Sequence, residues 1–76
     1  MELTLFTTEG CHLCELAEEL CSHFDELALS RKEIAEDDKL MALYGIRIPV
    51  LKHETSGAEL GWPFDLQELQ AFIERL

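Results

Sequence analysis

Apolar residues recur along this chain with two alternating periods, and the switches between them mark out its elements. Leu3-Thr4-Leu5-Phe6-Thr7 alternates closely enough to predict a buried strand. Leu13, Leu16, Ala17, Leu20, Cys21 and Phe24 then recur at intervals of three and four. That spacing predicts a helix from about Cys11 to about His23, with Glu15, Glu18, Glu19 and Ser22 toward water. Gly10 is expected to make the turn that admits the chain into this helix. From Glu26 to Ile34 the pattern is weaker. Leu27, Leu29 and Ile34 indicate a strand, while Ser30, Arg31, Lys32 and Glu33 restrict it to a sheet edge, where charged side chains are favoured.

Asp37 or Asp38 offers an N-cap for a short helix carrying Leu40, Leu43 and Tyr44, and Gly45 is expected as its C′ terminator. Ile46 to His53 reads as a strand entered through Pro49, a position where a missing N–H is tolerated. Glu54-Thr55-Ser56-Gly57-Ala58 supplies turn chemistry, and Glu59 to Trp62 a short returning strand. In the last segment Asp65 is an N-cap and Glu68 lies three residues on, a capping-box arrangement. Leu66, Leu69, Phe72, Ile73 and Leu76 follow on one helical face. The predicted order is βαβαββα, without internal repeat or linker, so residues 1–76 are read as a single domain.

Composition narrows the class. At 76 residues the chain is near the lower limit for folding without a metal or several disulfides, yet 47% of it is hydrophobic and only two residues are proline. A globular fold follows. Three cysteines are too few, and odd in number, for a secreted disulfide scaffold. Met1-Glu2-Leu3 lacks the basic start of a signal peptide, and no apolar run approaches the ~20 residues that span a bilayer. A cytoplasmic protein is therefore expected. The formal charge of −10 argues against nucleic acid and anionic membranes as partners, since both require clustered Lys and Arg.

The chemistry concentrates where the first strand hands over to the first helix, at Gly10-Cys11-His12-Leu13-Cys14. Unpaired N–H groups at a helix N-terminus carry partial positive charge and stabilise a thiolate. A Cys-x-x-Cys spacing brings the second sulfur within bonding distance of the first. Two ordinary cysteines, or half of a zinc site, are the alternatives, but the strand–turn–helix context is the one that redox chemistry requires. Cys11, more N-terminal and more exposed, is the expected nucleophile, and Cys14 the resolving thiol. His12 would favour the thiolate when protonated, against Glu9 and Glu15, or else merely occupies an exposed slot. Cys21 lies on the apolar stripe and is expected in the core. Cys11, Cys14, Cys21 and His23 along one helix cannot converge on a tetrahedron, so no metal site is expected.

Over almost its whole length the chain resembles a small glutaredoxin-like protein of the thioredoxin superfamily. The matching stretches are Thr7-Thr8-Glu9-Gly10-Cys11-His12-Leu13-Cys14, Tyr44-Gly45-Ile46-Arg47-Ile48-Pro49-Val50-Leu51 and Gly61-Trp62-Pro63-Phe64-Asp65-Leu66. The resemblance implies an α/β fold, a four-stranded mixed sheet in the order 2-1-3-4 flanked by three helices. Helices 1 and 3 would lie on one face and helix 2 on the other. It further implies a cis Ile48–Pro49 bond facing the cysteines, with the backbone of Ile48 free to pair with a substrate segment. The implied activity is thiol–disulfide oxidoreduction on a protein or small-molecule disulfide, by a monomer with no bound cofactor, re-reduced by a reductase or thiol donor.

Glutathione is a possible donor, but this chain departs from the glutathione-using pattern. Thr8 stands where such proteins carry Lys or Arg, Leu13 where they carry an aromatic residue, and Pro63 has no N–H to offer. Arg47 is the nearby cation able to hold a carboxylate, or else a plain exposed residue. His12, Leu13, Arg47, Ile48 and Pro49 are thus the candidate substrate contacts. Trp62 fits the core and a substrate surface equally well. Two other functions stay open: a catalytically weak binding module on the same fold, and a dimer bridging an iron–sulfur cluster through Cys11.

Overall fold

The computed structural model describes all residues from Met1 to Leu76. The elements follow in the order β1 (Glu2–Thr7), α1 (His12–Cys21), β2 (Ala28–Glu33), α2 (Asp38–Tyr44), β3 (Val50–His53), β4 (Ala58–Gly61) and α3 (Leu66–Glu74). They build one four-stranded sheet in the order β2-β1-β3-β4. β1 and β2 are parallel, whereas β3 is antiparallel to both β1 and β4. A parallel pair needs a crossover, which α1 supplies. The weakly patterned segment is indeed an edge strand. Its only half-buried residue is Leu29, and Arg31 turns outward to pair with Glu18 of α1.

Alternation along β1 sends its side chains to opposite faces, and each face has its own core. Leu3 and Leu5 pack with Ala17 and Cys21 of α1, Leu51, Phe64, and Leu69 and Phe72 of α3. Phe6 packs with Ile34, Val50 and Tyr44 of α2 on the other face, its ring stacked on that of Tyr44 at 4.3 Å. The helices therefore divide as expected, α1 and α3 on one side and α2 on the other. Burying a Leu such as Leu5, wholly inaccessible here, contributes roughly 1.5–3 kcal/mol.

Four expectations need correction. Leu13 and Leu16 do not join the core, being 44% and 37% exposed. The buried line on α1 is instead Cys14, Ala17 and Cys21. Leu16 stands a full step of about 100° from Ala17, off that line. Leu43 on α2 is likewise exposed, leaving Leu40 and Tyr44 to pack. Gly45 does not adopt the left-handed conformation of a C′ terminator; it is the C-cap, with φ −49°. A Cβ there would lie 2.5 Å from the Met41 carbonyl oxygen, so close approach rather than handedness demands glycine. The third strand starts at Val50, not Ile46, because the N–H groups of Arg47 and Ile48 both turn back to the Tyr44 carbonyl (2.8 and 3.0 Å).

Candidate functional site

The Cys11–Cys14 pair sits at the rim of the sheet. Thr7 ends β1, the loop Thr8-Glu9-Gly10 turns with Gly10 at φ +78°, and Cys11 becomes the N-cap of α1. Its sulfur accepts a hydrogen bond from the Cys14 N–H at 3.2 Å, and so does the work of a capping oxygen at a helix terminus. The two cysteines are disulfide-bonded, with Cα atoms 5.2 Å apart. Cys11 is partly exposed and Cys14 is buried, so an approaching thiol or disulfide meets Cys11 first.

Register brings the proline to the same rim. Phe6 of β1 lies opposite Val50 of β3, which places Pro49 opposite Thr7, where the cysteine loop leaves the sheet. The Ile48–Pro49 peptide bond is cis, as is Trp62–Pro63, for which the sequence carried no signal. The Trp62 N–H donates to the Pro49 carbonyl at 3.1 Å and closes the sheet there. The Ile48 N–H, however, is committed to Tyr44, so a strand docking at this point would find the Ile48 carbonyl alone.

Of the other candidate contacts, His12 and Leu13 are exposed beside Cys11, and the His12 ring stands 3.5 Å from the Glu15 carboxylate. Arg47 is not free. Its guanidinium lies over the Tyr44 ring, 5.6 Å from the centroid, and 3.5 Å from a Glu59 oxygen whose carboxylate also accepts from the Tyr44 hydroxyl. Burial, with the Glu59 bond second, pushes the Tyr44 hydroxyl up to about 12. Trp62 packs against the larger core, edge-on to Phe64. Cys21 is buried, and desolvation, reinforced by Glu18, pushes its thiol up to about 11. It is neutral at physiological pH and unreactive. No group of three or more His, Cys, Asp or Glu side chains converges as metal ligands would.

A cleft of about 410 Å³ opens beside the disulfide, on the β2 side. Glu9, Glu15, Glu33 and Arg31 share its wall with Cys11 and Cys14. The contribution of β2 was not read from the sequence. The available signal was the parallel pairing itself, which brings Glu33 level with Thr7.

Fold and cysteine geometry together define a glutaredoxin-like protein of the thioredoxin superfamily. Within that class the chain belongs to the family described as Glutaredoxin-like domain (DUF836), whose model it matches over residues 2–74. It is similar to the Northeast Structural Genomics target protein XcR50 from X. campestris. The X-ray structure of that protein aligns at TM-score 0.90 with 38% identity, covering 97% of each chain. Its solution structure aligns at TM-score 0.87, also at 38% identity, covering 100% of this chain and 96% of that one. Thioredoxin 1 from Thermosipho africanus TCF52B shares the fold, with TM-score 0.64 and 17% identity over 99% of this chain and 92% of that one. No curated protein matches the chain.

Proposed function

We propose that this protein is a thiol–disulfide oxidoreductase that reduces protein or small-molecule disulfides in cytoplasmic redox homeostasis, acting as a monomer without a bound cofactor. The observation that carries this reading is the placement of Cys11: a partly exposed sulfur capping α1, bonded to a buried Cys14 on the rim that also holds Pro49. In the reduced protein the Cys11 thiolate attacks one sulfur of the substrate disulfide. The other substrate sulfur leaves as a thiolate and takes up a proton. Cys14, deprotonated, then attacks the Cys11 sulfur, forms the intramolecular disulfide and releases the second substrate thiol. Two electrons pass to the substrate, and an external dithiol or thiol donor restores the pair.

His12 and Leu13 border the entering sulfur, and the Ile48 carbonyl and Pro49 would receive the substrate backbone. Arg47, held by Glu59 and Tyr44, serves a carboxylate poorly, which adds to the case against glutathione as the preferred donor. Reduction of insulin disulfides by a dithiol donor tests the reading. The wild type should accelerate it, Cys11→Ser should abolish the acceleration, and Cys14→Ser should accumulate a mixed disulfide through Cys11. A Cys11→Ser protein as active as the wild type would overturn the assignment.

A further inference from the structure

Glu33 ends β2 directly opposite Thr7, the last residue of β1, and its carboxylate reaches across to the loop that follows Thr7. One oxygen accepts the Glu9 N–H at 3.1 Å, a bond spanning 24 residues of sequence. The other accepts the Ala35 N–H at 2.9 Å, so the side chain is braced at its own end as well. These bonds, that of Ala35 foremost and the nearby Thr8 hydroxyl next, hold the carboxyl below its usual range and keep it an acceptor at neutral pH. Only Gly10 lies between Glu9 and Cys11, and Gly10 adds no side chain to restrain the turn. The Glu9 bond is thus a tie from a neighbouring strand to the residues that deliver the sulfur.

We propose that Glu33 is a positioning residue for Cys11: it ties down the β1–α1 loop so that the reactive sulfur stays against the N–H groups of the first helical turn. The proposal rests on the redox reading above. Pinned there, the thiolate gains the helix-terminus stabilisation; with the loop slack, the sulfur moves off and the thiol becomes less acidic. Glu33 also carries a charge that opposes the thiolate, as do Glu9 and Glu15 in the same cleft. Arg31 there is occupied by Glu18, and His12 by Glu15. These charges face solvent, so salt screens their repulsion while leaving the hydrogen-bonded tie in place.

The pH profile of Cys11 alkylation in the reduced protein, mapped by mass spectrometry at about 0.5 M salt, separates tie from charge. Glu33→Ala should raise the midpoint by about half a pH unit, the size of a helix-terminus interaction, and speed exchange of the Glu9 amide several-fold. Glu33→Gln, which keeps one acceptor oxygen, should shift it less. A midpoint that stays put or falls in Glu33→Ala would overturn the positioning role and leave Glu33 only its charge. An acidic wild-type Cys11 indifferent to Glu33→Ala thus removes the positioning role alone. A wild-type Cys11 titrating as an ordinary thiol, near 8.5, would remove both this role and the redox reading.

Discussion

Three cysteines on one helix occupy three environments, and position along the helix decides their chemistry. Cys11 caps the terminus and meets solvent, Cys14 turns inward one helical turn later, and Cys21 lies in the larger core. Alkylation of the native reduced protein should therefore label Cys11 first, Cys14 slowly and Cys21 hardly at all. Mass mapping that finds Cys21 modified as fast as Cys11 would contradict its burial. The cysteine pattern was legible in the sequence because it depends on place along one helix, the terminus for Cys11 and the inward side for Cys14 and Cys21. The part played by Glu33 was not, since nothing local to Glu33 indicates a backbone N–H reaching it from Glu9.

At the scale of elements, helix termini carry much of the local specification. Asp37 accepts from the N–H groups of Lys39 and Leu40 at 3.0 and 3.1 Å, and Asp65 from that of Glu68 at 2.8 Å. The Glu68 side chain makes no return bond to Asp65, so only half of the expected capping box forms. Asp65→Ala should cost about 1 kcal/mol of unfolding free energy, while Glu68→Ala should be close to neutral. Urea denaturation distinguishes them, and equal losses would restore the full box. The lost cap matters because α3 delivers Leu69 and Phe72 to the main core. Strand limits were less legible than caps, because the Tyr44 carbonyl captures N–H groups that the sequence pattern assigned to β3.

For the whole molecule, two titrating groups lie within the packed layers, one on each face of the sheet: Cys21 and Tyr44. Their folded pKa values, about 11 and about 12, stand above the ordinary 9.0 and 10.0. Between those limits the folded state holds more protons than the unfolded one, so stability is intact below about pH 9 and falls as pH rises beyond it. Urea midpoints should decline from pH 9 toward 11, and Cys21→Ala, though less stable at pH 7, should decline less steeply. Parallel curves for the two proteins would assign the loss to the growing negative charge instead, which already stands at −10 at neutral pH.

The sequence by itself determined the order of the seven elements, the acidic N-caps of α2 and α3, the edge character of β2 and the seat of the cysteine pair. All of these rest on interactions within a turn or two of chain: apolar period, capping oxygen, helix terminus. Tertiary structure decided the rest. It exposed Leu13 and Leu16, laid Trp62 half-buried against the larger core, and bound Arg47 to Glu59 on a strand that follows it. It also selected the cis form at both Ile48–Pro49 and Trp62–Pro63. Each of these outcomes depends on which strands become neighbours and in what register, and that is fixed by the burial of two separate cores rather than by any local pattern of residues.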